Sequence, residues 1–474
     1  MSASTTPHDL WQQLRVTFPD DALLEQAKAY STAYLQQVNE QRVFPDDAAL
    51  SALDHFDEDV PQGVGDAQAI LRSLNDYGAP ATSVHVGGRY FGFVNGGILP
   101  IGLAARWLSD AWDQNAGLHL TSPIAAKLEQ ISEKWVVDLL GLPTGTAMGV
   151  VTGTSTATLC GLVAGRNALL KRQGWDVNTQ GLFGAPPIRV VMGAHAHGTV
   201  KRALALIGMG HGTAEIVPVD EQGRMDPDQL PELDEHTLLI LQAGNVNSGA
   251  FDDFVTLCQR ANEAGAWVHI DGAFGLWAAA SPSKKHLTAG IDLADFWSVD
   301  GHKTLNTPYD CGLVLCKDRA ALAAAMQASG DYIHYSDERD NMLYTMDMSR
   351  QARGVSLWAT LKFLGREGVA GLIDRLCEHA TLFGQELQGA GFRVLNEMVF
   401  NQVIVACDQP AVTQATLKHI QASGECWCGG SRWFGEPVIR ISVCNWMTRP
   451  EDIQRSVAAF VKAREDALRD IANL

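Results

Sequence analysis

The chain has 474 residues, 46% of them hydrophobic, and carries 54 acidic against 36 basic side chains for a formal charge of −18. That length and apolar content predict a large core divided among two or three domains, and with no run of Lys and Arg to track a phosphate backbone, nucleic acid is not an expected partner. No stretch approaches the roughly 20 uninterrupted apolar residues of a membrane span, and the N-terminal nine residues lack the basic and apolar regions of a secretion signal, so a cytoplasmic protein is expected.

Residues 1–87 read as a polar, helical arm, with amphipathic stretches at 20–30 and 67–75. From 88 to 365, short apolar runs at 188–192, 237–242, 266–270, 296–299 and 312–316 alternate with helical patterns. Such alternation predicts an α/β domain built on a mainly parallel sheet. A long helix near 355–364 leads into residues 366–474, where strands at 400–406 and 438–443 and a closing helix at 450–472 predict a small α+β domain. The nine cysteines, odd in number and scattered from Cys160 to Cys444, suit a reducing compartment better than a disulfide framework. Cys426-Trp427-Cys428 lacks the spacing of a zinc site, and no metal is expected.

Four segments carry chemistry. Gly153-Thr154-Ser155 opens a helical stretch, where free N–H groups, hydroxyls and the positive end of the helix dipole suit a phosphate, or serve as a plain capping turn. His195-Ala196-His197 follows the strand ending at Met192; a histidine there can lie against a planar cofactor or move a proton, or act as a hydrogen-bonded loop residue. In Trp267-Val-His269-Ile-Asp271, period-2 alternation puts all three named residues on one strand face. Asp271 ends so apolar a strand that it needs a partner, either a protonated ring nitrogen, a salt bridge or the following turn. Ala273 is small enough for an aromatic ring to lie against the strand end. Lys303 closes Ser298-Val-Asp-Gly-His302-Lys303, one strand–helix repeat later. A lone lysine is usually a surface residue. Here all four segments fall at strand C-termini, which form one crevice in an open α/β sheet. An amine and a carboxylate in one crevice are what pyridoxal 5′-phosphate (PLP) requires: a Schiff-base partner for its aldehyde and an anion facing its ring nitrogen.

In order along 88–460, Arg89-Tyr-Phe91-Gly-Phe93, Gly153-Thr-Ser155, Ala196-His197-Gly, Gly249-Ala-Phe-Asp252, His269-Ile-Asp-Gly-Ala273, His302-Lys303, Asp310-Cys311 and Ile439-Arg440 resemble the group II PLP-dependent amino acid decarboxylases. The resemblance implies fold type I, with a large domain on a seven-stranded sheet and a small C-terminal domain. It also implies an arm that wraps a partner and a homodimer with sites at the interface. It implies that Lys303 holds the cofactor, Asp271 pairs with the ring nitrogen and His197 stacks on the ring. Ala273 would contact the ring, and Thr154, Ser155, Ser298 and His302 would surround the phosphate. Asn245 stands where the family often has a cofactor-facing Thr, Thr304 where an aromatic follows the lysine, and Phe296 where a serine is usual. These departures bear on the substrate more than on the cofactor.

Arg440 resembles the arginine that receives a substrate carboxylate, with a surface ion pair as the alternative. Phe91, Phe93 and Trp427 suit an aromatic pocket or the core. In the polar stretch 331–344, Tyr335, or next Tyr332, resembles the loop tyrosine that protonates the carbanion, with an ordinary exposed loop as the alternative. The reaction implied is α-decarboxylation of an L-amino acid. An aminotransferase, aldehyde-lyase or oxidative deaminase on the same scaffold, and a non-catalytic PLP-binding protein, are the competing readings.

Overall fold

The computed structural model describes residues 7–328, 330–331 and 333–473. It opens with four helices, α1 (Pro7–Thr17), α2 (Asp21–Gln37), α3 (Asp47–Ser51) and α4 (Ala67–Ser73). Asp20, Asp46 and Asp66 cap the last three, each carboxylate accepting a first-turn N–H. None of these three helices has a buried residue. The arm is tied down just after α2, where Arg42 donates to the carbonyls of Ala422 and Ser423. Two amphipathic helices follow, α5 (Pro100–Trp112) and α6 (Pro123–Leu139), each starting with a proline whose missing N–H costs nothing there.

The large sheet comprises β1 (Ala147–Val151), β2 (Arg189–Gly193), β3 (Glu215–Val217), β4 (Thr237–Gln242), β5 (Trp267–Asp271), β6 (Phe296–Asp300) and β7 (Gly312–Cys316). Its order is β1-β7-β6-β5-β4-β2-β3. Every pair not involving β7 is parallel, and β7 runs antiparallel between β1 and β6. The mainly parallel seven-stranded sheet expected from the sequence is therefore present. β1, β5, β6 and β7 are buried along their whole length, because helices cover both faces. On one face lie α7 (Thr154–Arg172), α8 (Val177–Gln180), α9 (Gly198–Leu206) and, beyond α10 (Phe254–Glu263), α11 (Arg319–Met326). Two glycines one turn apart let α7 approach the sheet: a Cβ at Gly161 would lie 2.4 Å from the Phe296 ring and one at Gly165 2.9 Å from that of Trp267.

The helix α12 (Gly354–Gly389) is broken at Gly365, whose φ of 59° is left-handed. Its first half covers the large sheet and its second half the small one, made of β8 (Arg393–Val394), β9 (Gln402–Ala406), β10 (Gly429–Trp433) and β11 (Glu436–Ser442) in the antiparallel order β10-β11-β9-β8. α13 (Pro410–Ser423) and α14 (Pro450–Ala472) complete the small layer. Among the described residues no helix is long and apolar enough to cross a membrane.

Two buried ion pairs clamp the segment before α12 onto α6 and β1. Arg350 donates to both oxygens of Glu129 at 2.7 Å and to the Val150 carbonyl, with the side chains 1% and 0% exposed. Glu133 receives Arg339, Arg319 and the Met148 N–H. Removing one partner of such a pair strands the other charge in the core. Glu129→Ala should therefore lower stability by about 3–5 kcal/mol, read as a reduced urea midpoint, and Glu129→Gln, which keeps an acceptor, should lose less.

Candidate active site

The C-terminal ends of β4, β5 and β6, the turn after β1 and the loop after β6 enclose a cavity of about 300 Å³. Seven of the residues singled out in the sequence line it: Thr154, Ser155, His197, Asp271, Ala273, His302 and Lys303. Parallel pairing explains the convergence, since register places Asp271 beside Ser298 and so brings the ends of β5 and β6 side by side.

Asp271 is 5% exposed, and its carboxylate accepts a hydrogen bond only from the Ala273 N–H among the described residues. Burial raises its pKa; the nearby His197 and Lys303 act in the opposite direction. His197 caps α9, its Nδ1 receiving the Thr199 N–H and pairing with the Thr199 hydroxyl, and Nε2 has no partner among the described residues. The ring is accessible from the cleft yet crowded by protein, and this desolvation lowers its pKa. Asp271 opposes that shift, while Lys303 and Arg440 reinforce it.

The Lys303 loop is held from below by Asn306, which is fully buried. Its amide donates to the carbonyls of Lys303, Thr304 and Cys444 and accepts from the N–H groups of Gly97 and Trp446. Thr304 donates to the Phe274 carbonyl at 2.8 Å, so the position that is aromatic in the family serves here as a strut. His302 accepts the Cys311 N–H on Nδ1 at 3.0 Å, and burial lowers its pKa, so the ring is neutral with its proton on Nε2.

One site residue was missed in the sequence. Asp300 is 1% exposed; it accepts from the Thr154 N–H at 2.7 Å and the Thr154 hydroxyl at 2.9 Å, and lies 3.1 Å from Lys303 Nζ. The signal was available: Phe296, Ser298 and Asp300 alternate along β6 as Trp267, His269 and Asp271 do along β5.

Six singled-out residues do not line the cavity. Ser298 lies beneath it, fully buried, its hydroxyl paired with that of Thr158 at 3.2 Å. Asn245 spends its side chain on its own turn, accepting the N–H groups of Asn247 and Ser248, so Gly244 and Val246 line the wall instead. Phe91 is a core residue of the small layer, edge-on to Phe383 at 4.9 Å. Phe93 is 61% exposed and stacks on Trp427, which stacks on Tyr90. Tyr335 is also not at the cavity. Its hydroxyl donates to the Ala328 carbonyl and accepts the Ala328 N–H, just past α11 and near the C-terminal end of α7. The cavity is at the other end of that helix. Tyr332 lies outside the described residues. Arg440, on β11, has no carboxylate within 4.0 Å among the described residues, and its buried Nε lacks an acceptor. Its charge is nevertheless felt by His197, so the surface ion pair considered for it is not formed.

These residues fit PLP. A buried carboxylate with one backbone donor lacks the cationic partner that a protonated ring nitrogen would be, a lysine opens into the same cavity, and the Ser155 hydroxyl at the start of α7 makes no hydrogen bond within the described residues.

A profile described as "Pyridoxal-dependent decarboxylase conserved domain" matches residues 51–406, well over half of the chain. The chain is 28% identical over 366 residues to an aromatic-L-amino-acid decarboxylase of Drosophila lebanonensis, covering 71% of this chain and 88% of that one. It is 25% identical over 367 residues to a phenylacetaldehyde synthase of Arabidopsis thaliana, covering 71% and 74%. A crystal structure of Oryza sativa TDC with PLP and tryptamine superposes with a TM-score of 0.86 at 20% identity, over 94% of this chain and 97% of that one, which shows the shared fold. The architecture is that of fold type I.

His269, two residues before Asp271, is fully buried, and neither ring nitrogen has a hydrogen-bond partner among the described residues. Burial pushes its pKa down to about 3, so the ring stays neutral in the folded state while the unfolded chain binds a proton below about 6.5. Its contribution is thus fully present above pH 6.5 and is lost as pH falls towards 3, at about 1.4 kcal/mol per unit. In unfolding titrations, the stability of the unmodified protein minus that of His269→Leu should be flat above pH 7 and fall steadily between about pH 6.5 and 4.

Proposed function

Because the chain belongs to the pyridoxal-dependent decarboxylase family, we propose that it binds PLP and removes the α-carboxylate of an L-amino acid as CO2, leaving the amine. The observation that carries this reading is that Lys303 and Asp271, at the ends of adjacent strands, open into one cavity.

Bound PLP supplies an aldehyde that an amino group can engage and a ring that accepts the electron pair left at Cα when CO2 departs. Lys303 would hold the aldehyde, Asp271 the ring nitrogen, and Ser155, Thr154 and His302 the phosphate, with His197 and Ala273 against the ring. Asp271, buried and with a single donor, favours a proton on the nitrogen it faces, because that cation offsets the cost of its own burial. Arg440, unpaired by any carboxylate among the described residues, is read as the receiver of a substrate carboxylate. His197 has Nε2 free to hold a proton for Cα, since Thr199 engages Nδ1. Lys303 would also be the amine that frees the product. Tyr335 would enter this scheme only where its hydroxyl gives up the Ala328 backbone.

The purified protein with PLP and pools of L-amino acids should release CO2 with the matching amine, followed by mass spectrometry. A keto acid without CO2 would move the reading to transamination and make Arg440 the residue to re-examine. An aldehyde accompanying CO2 would favour an aldehyde-forming reaction, in line with the name of the phenylacetaldehyde synthase relative. Lys303→Ala should abolish turnover and the visible absorption band of the bound cofactor. Asp271→Asn should keep that band and lower kcat about 10²–10³-fold, the scale of one lost electrostatic partner.

The assembly is read as a homodimer. Trp11, Phe18 and Leu24 of the arm, and Trp107, Leu108 and Trp112 of α5, are between 44% and 85% exposed, an apolar surface that a second copy would cover. Sedimentation should give the mass of two chains, and replacing Trp107 and Leu108 by Asp should shift it towards one.

A further inference from the structure

The donors expected to receive a phosphate are already serving an anion. Both donors of Thr154 point at Asp300, Lys303 Nζ lies 3.1 Å from the same carboxylate, and His302 Nε2 lies 3.6 Å from it. Asp300 is buried at the end of β6 and lines the cavity, where Thr154 and Lys303 hold its carboxylate in place. A phosphate monoester arriving at the start of α7 therefore meets a fixed negative charge among its own ligands. Two anions that share a site favour a proton on one of them.

The groups facing Asp300 leave few other ways to relieve that repulsion. His302 and Lys303 come from its own loop, Asp271 from β5, Tyr309 and Cys311 from the segment before β7, and Cys444 from the segment after β11. Burial pushes the Cys311 and Cys444 thiols up to about 12 and the Tyr309 phenol upwards, so all three stay protonated near neutrality. His302 is a neutral donor. Among the described residues Lys303 is the one cation of the set, it is already paired with Asp300, and it is committed once it carries the aldehyde.

We propose that Asp300 makes occupation of this cavity proton-coupled: as the Thr154 donors pass to an incoming phosphate monoester, a proton from solvent enters a hydrogen bond between the Asp300 carboxylate and a phosphate oxygen. The inference rests on the cofactor reading above. It makes Asp300 a positioning residue whose charge sets how cofactor affinity varies with pH. Affinity should weaken by up to about tenfold per pH unit above neutrality, where the free ligand is a dianion and the proton must be drawn from solvent.

The test is calorimetric titration of the cofactor-free protein in buffers of different ionisation enthalpy, using pyridoxine 5′-phosphate, which has the ring and phosphate but no aldehyde for Lys303. The unmodified protein should take up close to one proton per site with pyridoxine 5′-phosphate and distinctly less with pyridoxine, which isolates the phosphate from the Asp271–ring contribution. Asp300→Asn should lose that uptake and bind pyridoxine 5′-phosphate at least tenfold more tightly than the unmodified protein at pH 8.5. Equal uptake for the two ligands on the unmodified protein overturns the proposal even if the variant does not fold, and so does unchanged uptake in a folded variant. Binding without phosphate-dependent uptake leaves the cofactor reading standing, whereas no binding of pyridoxine 5′-phosphate or PLP overturns both.

Discussion

Two buried carboxylates at the ends of neighbouring parallel strands are what the rest of the site is built around. Asp271 and Asp300 are 5% and 1% exposed, and an isolated carboxylate in that setting is expensive unless hydrogen-bonded or paired. The chain compensates them differently. Asp300 is satisfied internally by Thr154 and Lys303. Asp271 has one backbone donor, with His197 and Lys303 nearby. The first is a complete internal network and the second an open one, and an open buried anion marks where a ligand's charge belongs.

The surroundings hold these charges in place. Asn306, itself in the left-handed conformation at φ 57° that asparagine tolerates better than most residues, ties the Lys303 loop to the 97 and 444–446 segments through five hydrogen bonds. The Glu129–Arg350 and Glu133–Arg339 pairs do the same for the segment running from 339 to 350. That segment crosses β1, whose end carries Thr152 and Gly153 into the cavity wall. The ion pairs are thus one strand away from the chemistry, and their contribution is to keep that wall from shifting.

Parts of this were legible in the chain itself. Alternating apolar runs marked β2, β4, β5, β6 and β7, and the closing helix matched α14 to its ends. β1, β3, β8 and β10 were not recognised. β1 runs directly into the Thr-rich start of α7 and reads as part of it; β3 has only three residues, two of them exposed; and β10, Gly429–Trp433, has a polar and glycine-rich pattern that only pairing with β11 makes a strand. Of the site, the motif residues at strand ends converge on the cavity. The residues assigned from loops or aromatic character go elsewhere: Tyr335 to Ala328, Asn245 to its own turn and Phe91 into the core.

Local pattern by itself determined that apolar strands end in Asp271 and at the loop bearing Lys303 and that a hydroxyl-rich segment opens a helix at Thr154, and this sufficed for an α/β domain on a mainly parallel sheet. The physical reason is that strand period and helix capping are short-range rules, written within a few residues. Only the tertiary structure decided which donors are already occupied. That Thr154 faces Asp300 across a separation of 146 residues, that Arg440 has no carboxylate partner among the described residues and that Tyr335 bonds its own loop are outcomes of long-range packing, since a polar group's partner depends on what the fold brings beside it.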